Sequence, residues 1–242
     1  MKIPSFLLHL FEKKEQRSSK KGFTLVEMVV VLAIMGIITG VAITGQSAYN
    51  KGILLTDTTY SVALSLRQAQ TYGLSSRRAG VVQNAGFGIN LNRSDLSSYR
   101  LFADINRLSP IPPVWCPTGV GGTPEAKPGN CIYTIQDNPV IQTFSFTRGF
   151  TIERYCGKRR SDGVQMCAYS APDIAAERLD IVFVRPNTKT IMTAYNSLNG
   201  YHELTCALIY IKDPAGTLAE RKVVRVSSLG EISVGNASMT CP

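Results

Sequence analysis

Imidazole is nearly absent from this chain. Two histidines, His9 and His202, occur in 242 residues. There is no His-Glu-x-x-His zinc motif, no EF-hand loop and no Gly-x-x-x-x-Gly-Lys-Ser/Thr phosphate loop. Gly86-Phe87-Gly88 is not followed by the third glycine of a dinucleotide site. Nothing around His202 supplies the motif of a Ser-His-Asp or Cys-His centre, and a lone histidine in a strand-turn region reads as structural or solvated. The sequence therefore points to no catalytic residue, no metal ligand and no cofactor. Cysteine is missing from the first 115 residues. None of the six cysteines (Cys116, Cys131, Cys156, Cys167, Cys206, Cys241) forms a Cys-x-x-Cys pair, which disfavours a zinc ribbon or a thioredoxin-type centre. Charge is modest too. With 18% charged and 44% hydrophobic residues, a largely disordered chain is excluded.

Acidic residues are the scarcer sign, 17 against 26 basic, for a net +9. That excess is uneven. Residues 1–22 hold six basic residues (Lys2, Lys13, Lys14, Arg17, Lys20, Lys21) and two acidic ones (Glu12, Glu15), a net +4. Much of the basic character is thus an N-terminal tail rather than a nucleic-acid face. The length suits one domain with an appendage. An even number of cysteines at wide spacing fits three disulfides in an oxidising compartment, and six buried thiols in a cytosolic core is the bland alternative.

Directly after the tail the chain turns apolar. Residues 23–43 form a run of 21 with a single charge, Glu27. As a helix it spans about 31 Å, enough for a hydrocarbon core of about 30 Å. The basic residues before it favour a cytoplasmic N-terminus and an external C-terminal part, which agrees with the cysteines. A secretory signal peptide needs a shorter apolar region, although Gly45-Gln46-Ser47 is a passable cleavage site. A plain anchor explains the length but not Glu27. A charge at a helix centre costs roughly 2.5–3.5 kcal/mol on insertion scales, so it calls for a function and a partner.

The segment Lys21-Gly22-Phe23-Thr24-Leu25-Val26-Glu27 resembles the cleavage site of type IV prepilins at every position. The chain is identified by it as a member of the type IV pilin and type II secretion pseudopilin superfamily. The resemblance implies that a prepilin peptidase cuts between Gly22 and Phe23 on the cytoplasmic side. It implies N-methylation of the new Phe23 α-amine. It implies that the Glu27 carboxylate pairs with the Phe23 amine of a neighbouring subunit during assembly. The physics agrees, since each charge is costly alone in a low dielectric and the two attract strongly. The blander reading sets Glu27 in the first turn of a helix, where the dipole favours an anion, and both can hold. Gly36-x-x-x-Gly40 in the same run could let helices approach closely, or be chance. Major pilins of the superfamily often carry proline where this chain has Thr44.

From Ser47 to Ser76 the pattern stays helical. Leu55, Val62, Leu66 and Ala69 recur on one face. Gly52 and Thr56-Asp57-Thr58-Thr59 are places where the helix could bend or break, and Asp57 or Thr58 could cap a second segment. The long reading is one helix of about 50 residues, the superfamily's shared element. The stretch 61–77 and the closing 221–234 resemble GspH/FimT-type minor pseudopilins. Between them, β segments are expected at 80–82, 87–91, 99–105, 131–135, 140–147, 150–155, 179–185, 190–195, 204–211, 221–227 and 231–234, on β-branched and aromatic content. Asn199-Gly200 and Ser228-Leu229-Gly230 are turn signals. The predicted fold is α+β: a long N-terminal helix, its first half membrane-spanning, packed on an antiparallel β-sheet head. Its expected divisions are 1–22 (cytoplasmic leader, removed), 23–45 (transmembrane or filament-core helix), 46–78 (extramembrane half of the helix) and 79–242 (disulfide-containing β head).

Cys116 and Cys131 bracket most of a Pro/Gly-rich loop, 108–130. Cys156 and Cys167 are equidistant from Ser161-Asp162, as a hairpin cross-link would be, and Cys206–Cys241 would tie down the tail. This sequential pairing is one of fifteen possible. Arg154, Lys158, Arg159 and Arg160 make a basic cluster with Tyr155 and Tyr169 near it. Such a cluster can bind nucleic acid or be a solvated loop. The expected role is structural: a minor pilin or pseudopilin that primes, caps or decorates a fibre, not an enzyme. Its partners would be prepilin peptidase, other pilins, an inner-membrane assembly platform and membrane lipid. Two alternatives stand: a DNA-receptor pilin for natural transformation, signalled by the basic cluster, and an adhesive tip, signalled by loop 108–130. The DNA receptors of this type carry an arginine-rich motif near the C-terminus, and this chain ends Gly-Asn-Ala-Ser-Met-Thr-Cys-Pro.

Overall fold

A computed structural model describes residues 22–75, 78–80, 85–105, 116, 129–136, 138–185, 189–214 and 221–242, with backbone only for 44–50. Residues 1–21 of the expected leader, most of loop 108–130, residues 81–82 of the expected strand at 80–82 and the Thr44 side chain lie outside these. The chain divides into two compact units, Met1–Ser47 and Ala48–Pro242. Helix α1 covers Leu25–Leu74, so it contributes to both.

Within the second unit α1 behaves as its spacing predicts. Leu55, Val62, Leu66 and Ala69 are all buried and share one core with the sheet. The threonines at 56, 58 and 59 do not break the helix. Their Oγ1 atoms donate to the carbonyls four residues back, at 2.8, 2.7 and 2.7 Å, so no hydroxyl competes for an unpaired backbone group. Ser65 Oγ and the buried Tyr99 hydroxyl lie 2.7 Å apart and fix the helix against the strand that carries Tyr99. At its end a Cβ on Gly73 would collide with the main-chain oxygen of Phe183, so only glycine allows this approach.

The head contains ten strands among the described residues: β1 (Gly86–Asn92), β2 (Asp95–Asp104), β3 (Val140–Ser145), β4 (Thr151–Arg159), β5 (Gln165–Cys167), β6 (Arg178–Phe183), β7 (Thr190–Asn196), β8 (Gly200–Lys212), β9 (Lys222–Ser227) and β10 (Ile232–Asn236). Every strand pairing is antiparallel, in the order β10-β9-β8-β7-β6-β1-β2-β3, with β4 paired to β8 and β5. The fold is the expected α+β arrangement. The closing hairpin β9–β10 turns where Ser228-Leu229-Gly230 predicts.

One strand lies outside the expected set, and one expected strand is absent among the described residues. Gln165–Cys167 is a strand too short for its composition to show; it exists because β4 pairs with it. Residues 131–135 are not a strand at all. Asp104 Oδ1 and Oδ2 accept the amides of Asn130 and Cys131, at 3.0 and 2.7 Å, and Asn130 Oδ1 accepts the amide of Ile132 at 3.1 Å. Cys131 is driven to a φ of 62°, which no strand tolerates. A buried carboxylate therefore clasps this segment, beside the disulfide Cys116–Cys131. The other two disulfides join Cys156 to Cys167 and Cys206 to Cys241. Cys156 and Cys167 stand directly opposite each other in the β4–β5 hairpin.

The clasp makes stability depend on pH. Burial pushes the Asp104 carboxyl up to about 7, the amides of Cys131 and Asn130 pull it partly back, and Asp180 adds repulsion. Unfolded, the same group titrates near 3.8. Between these values the folded head holds a proton that the unfolded chain lacks, so stability is highest at the acid end and falls as pH rises through 7. The slope is at most about 1.4 kcal/mol per pH unit. Denaturant unfolding of the full chain in micelles at pH 5, 6, 7 and 8 should show this fall, and Asp104→Asn should flatten it. An unchanged slope in the variant would place the proton elsewhere.

Candidate functional site

The first unit holds the expected processing site. Gly22 and Phe23 lie outside the helix and are exposed, Phe23 at 76%. Nothing approaches within 4 Å of where a Gly22 Cβ would sit. The peptide bond between them is therefore open to a protease. The helix begins two residues later, and Thr24 starts it. Its Oγ1 accepts the amide of Glu27 at 3.2 Å, and its carbonyl accepts the amide of Met28 at 3.2 Å. This is an N-cap, which satisfies one of the four orphan donors of a helix start. Sequence reasoning overlooks it, although Thr-x-x-Glu is the spacing of a capping box.

Glu27 is exposed in the first turn, where the dipole favours its charge. Around and beyond it, Leu25–Ile43 has a mean hydropathy of 2.5 with none of it buried. Gly36 and Gly40 are open, with nothing within 4 Å of either Cβ position. A helix that is apolar all round needs lipid or other helices as its solvent.

The basic cluster looks different in three dimensions than in sequence. Arg159 is locked to Asp162 through two hydrogen bonds, one of them Nε to Oδ1 at 2.8 Å. Arg160 Nε meets Glu203 Oε1 at 2.7 Å. Lys158 Nζ donates to the main-chain oxygen of Pro242 at 2.7 Å. Arg154 stacks on Tyr210, 4.7 Å from the ring centroid. Tyr155 is fully buried and donates to the Glu177 carbonyl at 2.6 Å, so its ring is closed to any ligand. Tyr169 remains exposed. Arg159 and Arg160 are thus matched by carboxylates, with Asp162 held down to about 2 by Arg159, whereas Arg154 and Lys158 meet a ring and a main-chain oxygen.

His202 sits on β8 opposite Ala194. Burial and then Arg159 pull its pKa below the usual value, so it is neutral at pH 7. Among the described residues no three His, Cys, Asp or Glu side chains converge to hold a metal.

Taken together, the first unit and the sheet define a protein with a membrane-length N-terminal helix and an α+β head. The family model of the prokaryotic N-terminal methylation motif matches residues 17–43. That motif marks a type IV pilin-like protein and points to a structural subunit rather than an enzyme. Neither a curated protein nor a solved structure matches it.

The cap can be tested directly. Thr24→Val should cost the first turn about 0.5–2 kcal/mol, and amide exchange at Glu27 and Met28 should quicken roughly 2- to 30-fold in micelles. Thr24→Ser should leave it unchanged. Equal protection in the valine variant would remove Thr24 from the helix start.

Proposed function

We propose that the protein is a minor pilin or pseudopilin of the GspH/FimT type. Its precursor is held in the inner membrane, with the basic residues 1–22 in the cytoplasm and the head outside. Prepilin peptidase removes 1–22, and the Phe23 amine is methylated. Residues 23–45 then serve as the membrane and filament-core helix, 46–78 as its extramembrane half and 79–242 as the head. The subunit enters a type IV pilus or a secretion pseudopilus through an assembly platform, where it primes, caps or decorates the fibre.

One observation carries this reading. An exposed, non-helical Gly22–Phe23 bond stands directly before a wholly unburied apolar helix, and that helix holds a single carboxylate in its first turn. Cleavage there leaves an ammonium at Phe23, four residues from Glu27. Inside a bundle of such helices each charge needs an opposite one. A neighbour offset along the bundle supplies it. GspH/FimT character rests on the resemblance at 61–77 and 221–234. The helix and the closing hairpin found there support it.

The test is co-expression with a prepilin peptidase and an assembly system. Mass spectrometry should find the chain beginning at Phe23 with one added methyl group. Glu27→Gln should insert and be cleaved normally, yet fall at least tenfold in the filament fraction. Loss of a buried pair costs about 3–5 kcal/mol, which makes that drop a conservative figure. Normal incorporation of the variant would end the pairing idea, and an uncut precursor would end the reading as a whole.

A further inference from the structure

Strand β4 and the end of the chain enclose a cleft of about 450 Å³, lined among others by Arg154, Lys158, Gln165, Tyr210, Ser238 and Thr240. Among the described residues no Asp or Glu lines it. The disulfide Cys206–Cys241 and a hydrogen bond from the Met239 amide to the Asn236 carbonyl, at 3.0 Å, hold the tail as a fixed wall.

Arg154 is the arginine that lines this cleft. Seven other arginines each reach a carboxylate. The glutamate next to it, Glu153, is paired with Arg221 at 2.7 Å instead. Arg154 has the face of Tyr210, and its Nε is fully buried without a hydrogen-bond partner. The buried Nε is out of a ligand's reach, but Arg154 lines the cleft and has no carboxylate partner among the described residues, so its guanidinium is what the cleft offers an oxyanion.

Arg154 and Lys158 lie on the same face of β4. Their partners on β8, Tyr210 and Cys206, keep an unbroken register between them. Four residues of strand set their Cα atoms roughly 13 Å apart, and the Lys158 Nζ, which donates to the Pro242 main-chain oxygen at 2.7 Å, keeps further donors for a ligand. A ligand with carboxylates repeated at that scale can meet both. The amide and hydroxyl groups of Gln165, Ser238 and Thr240 suit a ligand rich in hydroxyls. Tyr210 is covered by Arg154 and only 5% exposed, so the cleft has no free ring on which a base could stack.

We propose that this cleft binds an acidic oligosaccharide, with its carboxylates on Arg154 and Lys158. The inference rests on the head alone and stands apart from the assembly reading. The experiment titrates the full chain in micelles, by calorimetry, with trigalacturonate. Neutral galactotriose, inorganic phosphate and a short oligothymidylate are the comparators. Trigalacturonate should bind, more weakly at higher salt, and at least tenfold more weakly to Arg154→Gln and to Lys158→Gln. Amide shifts in the unmodified protein should move at Arg154, Lys158 and Thr240, which locates the site without any variant. No binding of trigalacturonate, or equal binding of the neutral trisaccharide, overturns the proposal. So does phosphate binding as tightly as trigalacturonate, or oligothymidylate binding more tightly.

Discussion

Helix α1 leaves all of Leu25–Ile43 unburied, and eleven of those nineteen residues are Leu, Ile or Val. On an insertion scale the eleven contribute roughly −3 to −7 kcal/mol. Glu27 would oppose that by roughly 2.5–3.5 kcal/mol at the helix centre, and by less in the first turn where it sits. The balance favours a membrane even with the carboxylate included. The capped, accessible start of the helix is then placed at its edge. Lipid satisfies the apolar face but not the carboxylate. Other helices of the same kind can satisfy both, which is the physical basis of the proposed move from anchor to filament core.

The same helix is patterned differently where it meets the sheet. From Leu55 onward only one face is buried, while Asp57, Ser61 and Arg67 stay exposed together with Tyr60 and Leu64. Its contacts there are specific: a shared hydrogen bond with Tyr99, a donor from Gln70 to the Gly230 carbonyl at 2.9 Å, and the close approach at Gly73. Such contacts fix a single arrangement, whereas an all-round apolar surface does not choose among partners. The head is thus specified by its own chain, and the anchor by its surroundings.

How much of this the sequence reveals depends on how far away each cause lies. The buried face of α1 is legible because Leu55, Val62, Leu66 and Ala69 carry the helical period themselves. The processing site is legible because its seven residues are contiguous. The clasp on Cys131 is not, because its cause is Asp104, 27 residues earlier. Residues 131–135 look like a strand until that carboxylate takes two of the amides at 130 and 131. The threonines at 56–59 look like breakers until their hydroxyls are seen bonded to their own helix. Arg160 reads as a free charge because Glu203, its partner, stands on another strand.

The three disulfides obey the same logic of distance. Cys156 and Cys167 belong to one hairpin, so local spacing identifies them, and the cross-link adds little to the pairing of β4 with β5. Cys206 and Cys241 are 35 residues apart, and at Cys206 strand β8 pairs with β4 and β9 rather than with the tail. Closing a longer loop removes more chain entropy from the unfolded state. It also holds the last residues against β4, where Lys158 meets Pro242. Without that bond the tail beyond β10 has few anchors, and the side of the cleft that it forms would have no reason to persist. The covalent link therefore shapes a surface as well as stabilising a fold.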